Sequence, residues 1–149
     1  GDAWLPGMVA DNEAVRERKE TQAEYADEIG VDYDAMAHPH MREGIVAETA
    51  ERAMELGREY LHANYRDEYG SEDWEHPLVS SDAVQDFETL VEDRFLVGTP
   101  ADIVAEVESM ADRMPMTHLG VRLHHSGMPA DVLREQIELF GDEVAPELR

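Results

Sequence analysis

Residues 117–129 read THLGVRLHHSGMP, and this stretch decides the fold class more than any other part of the chain. Apolar and polar residues alternate through its first half, which is typical of a β-strand. Ser126, Gly127 and Pro129 then follow in close succession, and these residue types are typical of a sharp turn. The two histidines before the turn leave three interpretations open: a plain core strand, a metal site, or the rim of an active site.

Composition limits the classes of protein and partner. The 149 residues include 35 acidic and 12 basic residues, which gives a formal net charge of −23. Such a negative field disfavours nucleic acids and anionic membrane surfaces as partners. Because 42% of the residues are hydrophobic and fall in regular patterns, we expect a folded protein rather than a disordered one. The charge balance favours a halophilic protein in a cytoplasm of concentrated salt.

Two kinds of feature are missing from the sequence. The chain has no cysteine, which excludes disulfides, thiolate metal ligands and cysteine nucleophiles. No apolar run approaches the roughly 18 residues that a membrane-spanning helix needs.

Strand and helix patterns alternate along the chain, which predicts an α/β fold with parallel strands. The predicted strands are 1–7, 40–48 and 117–125. The predicted helices are 12–29, 49–65, a short one over 83–91, one after the N-cap Thr99, and a last one from Pro129. Residues 66–81 show no period and predict a loop or lid that includes Trp74 and His76.

Several stretches occur in an order that resembles the bacterial luciferase-like flavin-dependent monooxygenase family. The similar stretches are GDAWLP at the start, GIVAETAERA, LVGTPADI, THLGVRLHH with SGMP after it, and the closing LFGDEVAPEL. The resemblance implies a (β/α)₈ TIM barrel, which needs about 250 residues. It therefore implies that residues 1–149 are a C-terminal fragment with about the last three strands. The absence of a first methionine agrees with that expectation, and we expect the fragment alone to be inactive.

The resemblance also assigns candidate site residues. One side of the last strand carries Leu119, Val121, Leu123 and His125. If this side faces the outer helices, Arg122 and His124 point into the barrel, with His124 nearest the catalytic mouth. His124 is the candidate catalytic residue, and Arg122, Trp4 and Gly127 are candidates for cofactor binding. The alternatives are an Arg122 that only pairs with a carboxylate, a half-exposed His124 without a role, and a buried barrel aromatic at Trp4.

A metal site is not predicted. Neighbouring histidines on a strand point to opposite faces, so His124 and His125 do not converge on one ion. His38 and His40 could converge, but no third ligand is marked by its spacing.

The resemblance implies a parent oxidoreductase that uses reduced FMN and oxygen on a small organic substrate. A deazaflavin coenzyme with hydride transfer is the alternative within the family. A non-catalytic acidic α/β assembly module is the alternative outside it. Unpaired strand edges further predict a homo-oligomer, or association with the missing N-terminal part of the barrel.

Overall fold

A computed structural model describes residues 3–70 and 84–148 of the chain. Its sheet has three parallel strands, β1 (Pro39–Val46), β2 (Leu96–Gly98) and β3 (His118–Arg122), in the order β2–β1–β3. The first half of β1 pairs with β3, and its last three residues pair with β2. The chain therefore folds as the α/β protein that the alternation of elements predicts.

Two of the three predicted strands are confirmed, and they pair with each other directly. The strand predicted at 40–48 is β1, and the strand predicted at 117–125 is β3. The prediction for residues 1–7 is wrong over the described residues 3–7, which form no strand. Leu5 is half exposed there, and Pro6 lacks the N–H that a ladder needs. β2 was missed because three residues are too few to show a period.

The helices follow the sequence pattern more closely than the strands do. They are α1 (Asn12–Glu28), α2 (Ala50–Leu56), α3 (Ala63–Tyr69), α4 (Phe87–Val91), α5 (Pro100–Arg113) and α6 (Ala130–Leu139). A π-helical segment, Gly57–His62, joins α2 to α3, and a second, Phe140–Val144, continues α6. Residues 66–69 of the predicted lid are helical, and residues 71–83, with Trp74 and His76, lie outside the described residues.

Side-chain caps begin the helices where the sequence predicts them. The Asp11 carboxylate accepts from the Ala14 N–H at 2.8 Å at the start of α1. Thr49 accepts from the Arg52 N–H at 3.2 Å at the start of α2. Such caps satisfy N–H groups that have no partner inside the helix.

The apolar core lies on both faces of the sheet. On one face, Ile45 packs in a cluster with residues of the continuous helical run from α2 to α3 and of α4, including Leu61 and Phe87. On the other face, Val46 packs with Ile103 and other residues of α5. Leu119 and Val121 pack against this second cluster, so the apolar face of β3 contacts a helix as predicted.

A buried polar network attaches α1 to the sheet. Arg42 of β1 is fully buried, and its Nε donates to the Asn12 side-chain oxygen at 3.2 Å. The Asn12 amide in turn donates to Asp93 at 3.1 Å and to Glu106 at 3.2 Å. Burial lowers the pKa of Arg42 to about 10, and the neighbouring carboxylates oppose that shift. The guanidinium stays charged at neutral pH. Its charge is balanced by Asp93 and Glu106, which are linked to it through the side chain of Asn12.

The π-helical segment Gly57–His62 is held against the chain around α4. A Cβ atom on Gly57 would lie 2.4 Å from Cζ of Phe87, so only glycine fits this contact. Arg58 forms an ion pair with Glu88, and Nε2 of His62 donates to the Val84 carbonyl at 2.8 Å. These three contacts fix the two segments to each other.

Across residues 3–70 and 84–148, no helix combines the length and the apolar character needed to cross a membrane.

Candidate functional site

A polar cleft of about 390 Å³ opens where β3 ends, at the carboxyl edge of the parallel sheet. Its described lining residues are Asn64, Asp67, Glu68, Arg122, His124, His125 and Ser126. Helix α3 supplies one wall, and β3 with the turn after it supplies the other. The cleft therefore brings together two of the predicted site residues, Arg122 and His124.

Arg122 is held by a buried carboxylate on the neighbouring strand. The register of β1 and β3 places Glu43 directly beside Arg122. The Arg122 Nε donates to Oε2 of Glu43 at 2.7 Å, and its Nη2 donates to Oε1. The Glu43 side chain is 1% exposed while that of Arg122 is 49% exposed. The hydrogen bonds to Glu43 raise the pKa of Arg122, so one side of the guanidinium is neutralised and the other faces the cleft.

Tyr65 of α3 also hydrogen-bonds to Glu43. Its hydroxyl donates to Oε1 of Glu43 at 3.3 Å. Burial and the neighbouring carboxylate raise the pKa of Tyr65 far above its ordinary value, so the phenol stays protonated and donates. Neither Glu43 nor Tyr65 stands out as a site residue in the sequence. The charged RE pair inside a predicted strand was the available signal.

His125 is turned toward Glu43 and away from the apolar face on which it was predicted. Its Nε2 donates to the Gly44 carbonyl at 3.1 Å, and its Nδ1 lies 3.9 Å from Oε2 of Glu43. The prediction is wrong because β3 ends at Arg122, so the alternation of side chains does not extend to residue 125. Burial lowers the pKa of His125, which the carbonyl and the carboxylate partly offset.

The turn after the histidines has the geometry that the sequence predicts. Gly127 has a φ of 81°, and the Met128 N–H donates to the His125 carbonyl at 3.1 Å. A glycine with positive φ at the third position is typical of a type II turn. His124, on the near side of this turn, is exposed to the cleft.

Trp4 lies in a different groove. Its ring lines a surface groove with Arg18, Tyr25 and two polar residues of α1, and its centroid is 5.9 Å from the Lys19 ammonium. The ring is only half buried. The structure therefore does not place Trp4 among the residues that line the cleft.

His38 and His40, the two histidines whose spacing would let them converge, each hydrogen-bond to a backbone carbonyl through Nε2. Nε2 of His38 donates to the Tyr33 carbonyl at 3.0 Å, and Nε2 of His40 donates to the Pro115 carbonyl at 3.3 Å. In the part of the chain that the structure describes, no three histidine or acidic side chains are grouped to hold a metal ion.

Comparison with known proteins gives structural matches only. No protein-family model matches the chain, and no curated protein matches it. A monooxygenase from Streptomyces bottropensis is 18% identical with a TM-score of 0.74, over 100% of this chain and 42% of that one. The FMN-bound oxygenating constituent of 3,6-diketocamphane monooxygenase, from Pseudomonas putida, is 23% identical with a TM-score of 0.56, over 97% and 42%.

A third match carries another coenzyme. An F420-dependent secondary alcohol dehydrogenase, in complex with an F420–acetone adduct, is 16% identical with a TM-score of 0.64, over 99% of this chain and 42% of that one. At these identities the matches show the fold, which is that of part of a (β/α)₈ barrel. The chain spans about two fifths of the length of these structures.

Proposed function

We propose that this chain is part of a flavin-dependent oxidoreductase of the luciferase-like family, whose parent enzyme uses reduced FMN and oxygen on a small organic substrate. The supporting observation is the agreement of the whole chain with a monooxygenase at a TM-score of 0.74. The position of the polar cleft supports it further, because barrel enzymes hold their reactants at the carboxyl ends of the strands. The net charge of −23 favours a cytoplasm of high salt.

The cleft fits the uncharged ring of a flavin better than its phosphate. Asn64, His124 and Ser126 line it with side chains that hydrogen-bond to neutral carbonyl and N–H groups. Asp67 and Glu68 are exposed carboxylates on the α3 wall, and they would repel a phosphate. We therefore place the phosphate outside the described residues, on the part of the parent barrel that this chain does not include.

A bound flavin supplies the redox chemistry, and the residues of this chain bind and orient its partners. The half-exposed guanidinium of Arg122, fixed by Glu43, orients a polar group at the ring edge. His124 holds or moves a proton at a substrate atom, and the Gly127 turn keeps the backbone close to the ligand. The role of Trp4 beside a flavin stays a prediction.

Coenzyme binding by the complete parent protein tests this proposal. FMN and F420 are titrated separately in molar KCl, with coenzyme fluorescence as the signal. We expect saturable binding of FMN. Binding of F420 alone would move the proposal to the deazaflavin branch, which the match to an F420-dependent dehydrogenase favours. A folded parent protein that binds neither would overturn the proposal and favour the assembly module.

The role of His124 is tested by His124→Ala in the parent protein, with His118→Ala as the matched control. Both histidines are exposed on or just after β3, but among them only His124 lines the cleft. We expect His124→Ala to lower kcat/KM about 100-fold or more, the usual range for a lost general acid or base. Equal kinetics in the two variants would remove His124 from the site.

A further inference from the structure

We propose that Glu43 is a positioning residue that makes the cleft at the end of β3 selective for an uncharged carbonyl group over a carboxylate. Glu43 acts through Arg122, whose charge it neutralises from the buried side. The statement that the ligand belongs to the reaction rests on the proposed function, and the chemical class deepens that function. The binding itself involves no redox step, so it can be tested separately.

The first observation is that a buried carboxylate fixes the orientation of Arg122. The Glu43 side chain is 1% exposed and lies beside Arg122 in the register of the sheet. Both of its oxygens accept from the guanidinium, Oε2 from Nε at 2.7 Å and Oε1 from Nη2. A bidentate pair of this kind sets the plane of the guanidinium as well as its position. Arg122 therefore presents the same edge to the cleft at all times.

The other neighbours of Glu43 leave its charge to Arg122. The Tyr65 hydroxyl, an uncharged donor, binds Oε1 at 3.3 Å. Nδ1 of His125 lies 3.9 Å from Oε2, but Nε2 of the same ring donates to the Gly44 carbonyl. Burial lowers the pKa of His125, so this ring is neutral at neutral pH. Within the described part of the chain, the pair of Glu43 and Arg122 is therefore a closed unit without net charge.

The second observation is a set of N–H groups on Arg122 that the fold does not use. A guanidinium carries five N–H groups, and two of them bind Glu43. Across residues 3–70 and 84–148, no protein acceptor binds the others. The side chain is 49% exposed and lines the cleft, so these donors are available to a ligand. They require an oxygen that accepts, and a carbonyl oxygen is such an acceptor.

The charge balance favours an uncharged acceptor over an anionic one. A carboxylate ordinarily binds a guanidinium more tightly than a carbonyl does, because charge strengthens the hydrogen bonds. In this cleft, Glu43 already occupies the bidentate edge of Arg122 and would repel a second carboxylate. The exposed carboxylates of Asp67 and Glu68 are screened by water and salt far more than the buried Glu43 is. We therefore assign the selectivity to Glu43.

Two kinds of ligand carry an uncharged carbonyl group, namely an organic substrate and the ring of a flavin. The cleft volume of about 390 Å³ lies within the usual range for small-molecule sites. Competition in the complete parent protein separates the two sources. Displacement of benzamide by riboflavin, which has the ring without the phosphate, would assign the carbonyl to the flavin. Simultaneous binding of both would assign it to the substrate.

A matched pair of probes tests the selectivity in the complete parent protein without coenzyme. Benzamide and benzoate have nearly the same size and the same carbonyl group, but only benzoate is charged. We expect calorimetry to show benzamide binding about tenfold or more tightly than benzoate. The ¹⁵N signals of the Arg122 Nη atoms should shift with benzamide, and that of Nε should not. Benzoate binding as tightly as benzamide, or no binding of either, would overturn the proposal whether or not any variant folds.

Variants separate the effect of Glu43 from the general negative field. Glu43→Gln keeps an acceptor for Tyr65 but removes the charge, so benzoate affinity should rise about tenfold. Benzamide affinity should stay within about threefold. Glu108→Gln makes the same charge change at an exposed position on α5, and it should alter benzoate affinity by less than about twofold.

The double variant Glu43→Gln with Arg122→Gln provides the decisive comparison. Its benzoate affinity should lose the gain seen in Glu43→Gln, because the guanidinium that attracts the carboxylate is gone. A gain that persists in the double variant, an equal gain in Glu108→Gln, or parallel weakening of both probes in Glu43→Gln would refute the role of Glu43. Benzamide selectivity in a parent protein that binds neither FMN nor F420 would instead overturn only the proposed function.

Discussion

His40 at the amino end of β1 shows how a single side chain sets the pH response of the fold. It is 1% exposed, and its Nδ1 has no hydrogen-bond partner. Burial lowers its pKa to about 4, and the positive charges of Lys19 and Arg42 act in the same direction. Between pH 6.5 and about 4, the His40 imidazole is therefore mostly neutral in the folded chain and mostly protonated in the unfolded chain.

The unfolding free energy should fall as pH drops through this window. The unfolded histidine titrates near pH 6.5 and the folded one near 4, so between these values the unfolded state binds more protons. We expect a loss of up to about 3 kcal/mol from this group by pH 4, measured by urea unfolding at a series of pH values. His40→Gln should flatten the curve, and His118→Gln, at an exposed histidine, should not. Parallel curves for both variants would assign the pH response to other groups.

Some residues of the site could be predicted from the sequence, and others could not. Arg122 and His124 were identified because a strand pattern and a resemblance place them at one edge of the sheet. Glu43 was missed because its role depends on the register of β1 against β3, two strands nearly eighty residues apart. His125 was assigned to the wrong face because the end of a strand depends on pairing that alternation does not encode.

At the scale of elements, helix starts could be predicted best because their chemistry is local. Thr99 accepts from the Asp102 N–H at 3.3 Å, and the Asp102 carboxylate accepts from the Thr99 N–H at 2.9 Å. Pro100 adds a fixed φ at the first helical position. β2 and the π-helical segments could not be predicted, since both depend on contacts with distant segments, such as Phe87 against Gly57.

The capping box of α5 gives a prediction at this scale. Thr99→Ala should lower the unfolding free energy by about 1 kcal/mol, because it leaves helix N–H groups without an acceptor. Thr21→Ala, at an exposed position inside α1, is the control and should be neutral or slightly stabilising. Urea unfolding at neutral pH measures both. A loss in the control equal to that of Thr99→Ala would refute the capping explanation.

At the scale of the whole molecule, the net charge of −23 works against compaction. Helix α1 illustrates this repulsion. Its last turn contains acidic residues and no basic ones, although the helix dipole favours cations at that end. Glu28 is one of these exposed acids, and Glu17 and Glu24 are exposed earlier in the same helix. Counterions are therefore expected to contribute to stability.

The unfolding free energy should rise from low salt to molar KCl, because the screening length falls from about 10 Å at 0.1 M to about 3 Å at 1 M. Replacing Glu17, Glu24 and Glu28 with Gln should reduce this rise. Replacing the same three residues with Asp keeps the charge and is the control. Urea unfolding across a KCl series gives both slopes. Identical slopes for the two triple variants would show that repulsion along α1 does not oppose folding.

The contacts that join the π-helical segment to the chain around α4 have a consequence for insertions and deletions in the sequence between them. Gly57 against Phe87, Arg58 with Glu88, and His62 with the Val84 carbonyl join the two segments that flank residues 71–83. The entropy of closing a chain between two fixed points grows only with the logarithm of its length. We therefore expect a longer connection between these two attached segments to add little to the free-energy cost of bringing them together.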